Sequence, residues 1–158
     1  MTAVTTPARP ARITAARPDD AAGIRALLRA ADLPDEDFAD HLAHFLVARR
    51  NGAVVGAVGF ERHGRAALLR SLVVAPAARG AGLGGRLVTR LAEAAARAGA
   101  ARFFLLTTTA EEFFARRGFR RIERARVPAA IAATREFHSL CPASAVCLTR
   151  RVAEAPGS

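Results

Sequence analysis

The sequence predicts a mixed α/β domain with a mostly antiparallel central sheet flanked by helices. Three apolar stretches at 45–49, 53–61 and 66–74 follow one another as strands. Asn51-Gly52 lies between the first two and is a strong signal for a two-residue hairpin. An amphipathic pattern over 82–98 then predicts a long helix. The full order is β-α-α-β-β-β-α-β-α-β-β, which is typical of a layered α/β domain.

The N-terminal half begins with a strand at 12–17, closed by Pro18. Asp19 or Asp20 is suited to cap the helix that follows, because a carboxylate accepts hydrogen bonds from free amides of the first turn. A shorter helix is expected at 35–41. Gly56 and Gly59, within the strand at 53–61, indicate a bulge or a close backbone approach.

The C-terminal half alternates helices and strands. In chain order we expect the helix at 82–98 with Gly99 as its left-handed cap, a strand at 102–109, a short helix ending at Gly118, and strands at 119–126 and 145–151. Thr109 and Glu112 have the spacing of a capping box at the start of the short helix. An irregular insert at 127–144 separates the last two strands.

The length and composition predict one domain. Its 158 residues are 51% hydrophobic and 24% charged, which suits a globular protein that buries its own core. We expect a flexible tail at 1–10, the domain at 11–152 and a second tail at 153–158. No apolar run is long enough for a membrane helix, and no secretory signal is recognised. With two cysteines and no disulfide framework, a cytoplasmic location is expected.

The charge of the chain predicts an anionic partner. The formal net charge is +10, and all 24 basic residues are Arg. Such a field attracts a polyanionic cofactor, an acidic substrate or nucleic acid. The aromatic and basic pattern of an RNA-recognition strand and any zinc knuckle are missing, so nucleic acid is not the expected partner. The basic cluster at 116–126 is interpreted as a solvated face.

The segment from Leu72 to Gly85 has the composition of an anion-binding loop. Its glycines let the main chain approach a ligand, and the helix that follows adds a partial positive charge. Arg79 adds a cation beside them. Gly80, Gly82 and Gly85 also match the dinucleotide fingerprint, but five residues separate them from the strand and the preceding strands form hairpins, so a Rossmann fold is not favoured.

At this point the sequence resembles the GNAT superfamily of N-acetyltransferases. Arg79, Gly82 and Gly84 match its acetyl-CoA motif, and the later motif is matched by Ala110-x-x-Phe113-Phe114-x-x-x-Gly118-Phe119. The resemblance extends over about 12–151 and implies acetyl-CoA as co-substrate. The cofactor-binding residues it implies are Leu72, Val73, Val74, Arg79, Gly80, Ala81, Gly82, Leu83, Gly84, Thr107, Phe113 and Phe114.

A narrower resemblance concerns the acceptor. The segment 105–114 is similar to that of amino-acid N-acetyltransferases, including the synthase that makes N-acetylglutamate. Together with 68–72 and 134–147, it makes the chain similar to arsenic-resistance N-acetyltransferases. This implies a small amino-acid-like amine as acceptor, glutamate-like or an organoarsenical or phosphinothricin-like analogue. The protein is expected to act as a monomer or homodimer.

The resemblance also implies direct transfer of the acetyl group. In the superfamily the strands corresponding to 66–74 and 102–109 splay apart, which would expose Leu72 and Val74 to the pantetheine arm. A backbone N–H near Val74 would then stabilise the oxyanion. Many relatives use a Tyr as general acid, but the chain has no Tyr and Phe114 occupies that position. A catalytically silent acyl-CoA sensor and an enzyme acting on a protein amine therefore remain alternatives.

Four side chains are candidates for substrate contact or catalysis. Arg70 interrupts an apolar strand, so it either faces the cleft and holds a carboxylate or pairs internally. Ser71 and Thr108 are its expected companions. Glu111 is the candidate catalytic residue, and the ordinary preference for acids in the first turn of a helix is the alternative explanation for it.

No metal site is predicted. His41 and His44 have helical spacing but lack further ligands nearby in the sequence. Cys141 and Cys147 could trap trivalent arsenic as thiolates, but two structural thiols are the better interpretation.

Overall fold

The computed structural model describes residues 10–153, except for the side chains of Ser139 and Leu140. Seven strands form one sheet in the order β1-β2-β3-β4-β5-β7-β6. All neighbouring pairs are antiparallel except β4 and β5, which are parallel. The strands are β1 Arg12–Ala15, β2 Phe45–Arg50, β3 Ala53–His63, β4 Ala66–Val74, β5 Arg102–Thr107, β6 Arg120–Arg121 and β7 Val146–Arg151.

Four α-helices flank the sheet, so the predicted fold class is confirmed. They are α1 Ala21–Ala30, α2 Leu83–Arg97, α3 Glu111–Ala115 and α4 Ala129–Ala132. A 3₁₀ segment covers Phe38–His44, and a π-helical turn covers Glu136–Leu140. Within the described residues, every helix is too short or too polar to cross a bilayer. The predicted tails lie outside these residues, apart from position 10 and position 153.

Several local predictions are confirmed. β4 has the expected bounds, and Asn51 and Gly52 both have positive φ, at 54° and 79°, as a type I′ hairpin requires. Gly99 ends α2 with φ 94°. At Gly59 an added Cβ would lie 2.3 Å from the Phe45 ring, so the glycine permits the close approach of β2 and β3.

Four local predictions are wrong. Asp20 is the N-cap residue of α1, but its carboxylate does not cap the first turn: it accepts from the Arg17 N–H at 2.7 Å and pairs with Arg49. The strand expected at 119–126 reduces to β6, because only Arg120 and Arg121 pair with β7 before a 3₁₀ turn begins. The helix expected at 35–41 is the 3₁₀ segment at Phe38–His44. The capping box is absent from α3, because Ala110 rather than Thr109 is the N-cap and this helix has no side-chain cap hydrogen bond.

The two faces of the sheet carry different helices because side chains alternate along each strand. α2 packs Leu87 and Leu91 against one face, which includes Phe103. On the other face, α1 packs against the β2 side, while α4 packs Ile131 against Phe104. The insert between β6 and β7 therefore covers the sheet beside β4 and β5.

Candidate active site

The parallel strands β4 and β5 separate at their carboxyl ends. They pair only from Ala66 opposite Arg102 to Leu68 opposite Phe104, although both strands continue beyond that point. A bulge bends β4 here, because its register against β3 shifts around Ser71, which has φ 62°. The separation opens a cleft of about 750 Å³ between the two strands.

The edge of β4 presents main-chain polar groups to this cleft. The N–H of Ala75 donates to Val55 O at 2.8 Å, on the β3 side. Because successive residues of a strand direct their N–H groups to opposite edges, the N–H and C=O of Val74 face the gap. Arg79 Nε donates to that carbonyl at 3.1 Å. The Val74 N–H therefore points into the cleft from the same edge of β4 as its carbonyl.

The loop after β4 leads to an uncapped helix N-terminus. Gly80 and Gly82 have φ of 89° and 75°, and Gly82 is the N-cap of the 15-residue α2. Within the described residues, the amides of 81–85 donate to no other protein group. The first turn also lacks an acidic side chain. Free amides and the helix dipole together form a site for an anion such as a pyrophosphate.

A second, smaller depression continues from this helix end. It is lined by Gly82, Gly85, Arg86, Thr89, Arg90, Arg116 and Arg117. The Arg117 guanidinium lies 3.7 Å from the centre of the Phe113 ring and donates to Phe113 O at 2.8 Å. Burial, and then the charge of Arg116, lowers the pKa of Arg117. The four arginines make this depression strongly cationic.

Most of the predicted cofactor-binding residues come together around these two features. Leu72, Val73, Val74, Arg79, Thr107 and Phe114 line the cleft. Gly80, Ala81 and Gly82 form the loop. Leu83 is different, because its side chain is buried in the core under α2. Gly84 lies against the Phe113 ring, 3.2 Å from where its Cβ would be, so a glycine there lets α3 approach α2.

Arg70 shows the internal pairing that was the alternative to substrate contact. Its side chain is fully buried, with Nη1 and Nη2 bonded to Asp37 at 3.0 and 2.6 Å and Nη1 to Glu61 at 2.7 Å. Nε donates to Ser71 at 3.1 Å. Burial lowers the pKa of Arg70, but these bonds and the nearby carboxylates outweigh it and raise the pKa. The Arg70 guanidinium, for which binding of a substrate carboxylate was one of the two predicted roles, is thus paired with carboxylates of the protein itself.

Glu111 also lies elsewhere than predicted for a catalytic residue. It is outside the residues that line the cleft, and its carboxylate is paired with Arg121, with one bond of 2.7 Å. The hydrogen bond from Arg121 lowers the pKa of Glu111. The preference for acids in the first turn of a helix, together with this ion pair, explains why an acid occupies position 111 without a catalytic role. Ser71 and Thr108, in contrast, line the cleft.

Sequence reasoning missed three buried acids. Asp37 and Glu61 neutralise Arg70, and Glu136 lines the cleft from the π-helical turn. Asp37, Glu61 and His41 also lie close enough together to share a cation, but both carboxylates are already bound to Arg70. The sequence did carry a signal for the burial of Glu61, because this residue is an acid within a long predicted strand. Asp37 and Glu136 gave no local sign of burial.

The insert at 127–144 forms one wall of the cleft. Glu136, Cys141 and Pro142 line it. Burial, and then the charge of Glu136, raises the pKa of Cys141 to about 12. Burial raises the pKa of Cys147 to about 11. Both thiols are therefore protonated at neutral pH, which favours the structural interpretation over arsenic capture by thiolates.

Comparison with known proteins identifies the class. The model of the acetyltransferase (GNAT) domain family matches residues 41–121, which is half of the chain. The chain belongs to this family of acetyltransferases. A search of curated proteins gives no significant match.

Solved structures support the same fold. N-acetylglutamate synthase of Neisseria gonorrhoeae, complexed with coenzyme A and L-arginine, is 25% identical with a TM-score of 0.76, over 92% of this chain and 34% of that one. Rv2747 of Mycobacterium tuberculosis, in complex with CoA and NLQ, is 25% identical with a TM-score of 0.75, over 89% and 98%. YhbS of Escherichia coli, in complex with CoA, is 26% identical with a TM-score of 0.65, over 96% and 86%. The chain spans about a third of the synthase.

Proposed function

We propose that the protein transfers the acetyl group of acetyl-CoA to the amine of a small amino-acid-like compound by direct attack. The observation that carries this proposal is that the gap between β4 and β5 leads to the uncapped N-terminus of α2. A thioester with a long arm and a pyrophosphate fits this shape, because the arm pairs with the β4 edge and the anion meets the free amides. Coenzyme A is present in the three related structures named above.

The reaction needs positioning and oxyanion stabilisation more than acid catalysis. The neutral amine attacks the thioester carbon, the carbonyl oxygen becomes negative near the Val74 N–H, and the C–S bond breaks as the amide forms. Phe114, which packs edge-on against Phe113 and Phe119, has no hydroxyl and so supplies no proton to the sulfur. A thiolate leaves without a general acid and takes the proton released by the amide nitrogen.

The acceptor class rests on two points. The segment at 105–114 resembles that of amino-acid N-acetyltransferases, and one related structure is an N-acetylglutamate synthase. The wall formed by the insert also restricts the cleft to about 750 Å³. A volume of this size suits a small ligand beside the pantetheine arm better than a protein surface.

The test is thiol release from acetyl-CoA with a panel of acceptors. The panel contains L-glutamate, L-glutamine, phosphinothricin, an amino-aryl arsenical and a lysine-containing peptide. Turnover on the amino-acid-like compounds, with none on the peptide, supports the proposal. Tight binding of acetyl-CoA by calorimetry with no turnover on any amine would contradict it and support the sensor alternative.

A further inference from the structure

Glu136 is a buried acid on the wall of the reaction cleft. It begins the π-helical turn in the insert and is only 5% exposed, yet it is among the residues that line the cleft with Val74 and Thr107. Its Oε2 atom is buried and has no hydrogen-bond partner among the described residues. A buried carboxylate oxygen without a donor is costly to a folded protein. Such an atom in a cleft indicates that a donor arrives with a ligand.

The charged neighbours of Glu136 do not satisfy it. Arg70 is the nearby cation, but it is already bound by Asp37 and Glu61. The remaining titratable neighbour is Cys141, whose thiol donates a weak hydrogen bond to Glu136. One guanidinium thus faces three carboxylates. A second cation that carries N–H donors would balance these charges and satisfy the free oxygen of Glu136.

Burial raises the pKa of Glu136 to about 7; Arg70 and the Cys141 thiol lower it, while Glu61 and Asp37 raise it. A carboxyl with this pKa changes its protonation near neutral pH. This is the range in which a general base is most effective. Since Glu111 is paired with Arg121 outside the cleft, Glu136 is better placed than Glu111 for this chemistry.

We propose that Glu136 binds the ammonium group of the incoming acceptor and removes its proton before attack. The inference rests on the proposed acetyl transfer. The proton passes from nitrogen to Oε2, which leaves a neutral amine and a neutral carboxyl. The amine forms the amide, coenzyme A leaves as thiolate, and the second nitrogen proton goes to that thiolate. Glu136 then releases its proton to solvent, so one proton is released per turnover.

The test compares the pH dependence of kcat/KM for the wild type, Glu136→Gln and Glu136→Asp. The assay uses acetyl-CoA and L-glutamate, or the panel acceptor with the highest turnover. Glu123→Gln is the matched control, because Glu123 is exposed and lines neither the cleft nor the cationic depression. Binding of acetyl-CoA is measured by calorimetry for each protein, and folding is checked by thermal unfolding.

We expect the wild type to lose activity as the pH falls through about 7. Glu136→Gln should reduce kcat/KM about 100-fold or more at pH 7, and the loss should shrink as the pH approaches the pKa of the acceptor amine. Glu136→Asp should keep the acidic limb at a lower rate, which also decides the question if Glu136→Gln does not fold. The kcat/KM of Glu123→Gln and the affinity of each protein for acetyl-CoA should be unchanged.

Three results would overturn the inference, and the measurements distinguish them. If the wild type acetylates the acceptor and Glu136→Gln keeps the same rate and pH profile, Glu136 is not the base although the proposed function stands. A uniform loss at every pH would equally assign Glu136 a structural role only. If the wild type binds acetyl-CoA but acetylates no amine, the proposed function fails and the role of Glu136 fails with it.

Discussion

Arg70 belongs to a buried ion-pair network with Asp37 and Glu61. Burial raises the pKa of Asp37, but the hydrogen bond and charge of Arg70 outweigh it and lower the pKa. Removing the cation would leave two uncompensated buried carboxylates. We therefore expect Arg70→Met to lower the free energy of unfolding at pH 7 by about 3–5 kcal/mol, measured by urea denaturation.

The control for this prediction is Arg70→Lys, which keeps the charge but loses the planar fork, so a smaller loss is expected. The sign of the pH dependence follows from Asp37. The stabilisation that ionised Asp37 contributes is fully present above its usual pKa and is lost as the pH falls through the lowered pKa. The difference in the free energy of unfolding between wild type and Arg70→Met should therefore narrow below about pH 4. Unchanged stability with a raised KM for the acceptor would instead indicate that Arg70 holds a substrate carboxylate.

Glu136 also has a measurable effect on stability that is independent of turnover. Burial raises its pKa from 4.5 to about 7, so the folded protein holds a proton that the unfolded chain releases between these values. The stability of the wild type should therefore fall as the pH rises from 4.5 to 7 and then level off. Glu136→Gln mimics the neutral acid and should be more stable at pH 8, by an amount on the order of 3 kcal/mol.

The measurement is the Tm of both proteins at pH 5 and pH 8 without ligand. At pH 5 the two values should be close, because most of Glu136 is protonated in the folded wild type. An equal difference at both pH values would show that the carboxyl does not titrate in this range.

At the scale of elements, one substitution in the loop between β4 and α2 should affect helix stability and ligand binding in opposite directions. Ala81 is exposed in the loop before α2, whose first turn has free amides and no acid. Ala81→Glu would place a carboxylate where the helix dipole favours it, so Tm should stay the same or rise slightly. The same charge would repel the pyrophosphate, and we expect the KM for acetyl-CoA to rise about 10-fold.

Ala81→Gln is the control, since it has nearly the same size without the charge, and its KM should change little. The KM values of both variants are measured by steady-state kinetics at low ionic strength. Equal increases for Glu and Gln would mean that side-chain bulk, not charge, disturbs the site, and would weaken the assignment of the anion to this helix end.

The elements that could be predicted from the sequence are those that local signals determine. β4 and the start of α2 were predictable because apolar runs, glycines and helical periodicity are local signals. The strand at 119–126 was not, because only two of its residues pair with β7 and partner choice is not encoded locally. The buried acids depend on contacts between distant positions: Asp37 meets Arg70 across 33 residues, and Glu136 reaches the cleft from an insert that gave no regular pattern.

At the scale of the whole molecule, the fold gathers positive features around the N-terminus of α2. The amides of α2, Arg79 and the arginines at 86, 90, 116 and 117 come from two stretches of the chain, 79–90 and 116–117. The wall of the cleft that the insert forms carries Glu136. Acetyl-CoA and an ammonium-bearing acceptor would therefore each meet the charge that complements them, which suits a reaction that joins an anionic donor to a cationic acceptor.

The net charge of +10 predicts a specific dependence on salt. A positive field raises the local concentration of an anionic ligand, and salt screens it beyond about 10 Å at 0.1 M. Raising NaCl from about 0.05 to 0.5 M should increase the KM for acetyl-CoA several-fold. The kcat should change little, because salt screens the long-range attraction that brings the cofactor to the site and not the short-range contacts of the bound complex. The control donor is the acetyl thioester of N-acetylcysteamine, which has the thioester but no phosphates. Its kcat/KM should be insensitive to salt over the same range. If both donors lost activity equally, salt would be acting on the acceptor or on the fold, and the cationic surface would have no part in cofactor binding.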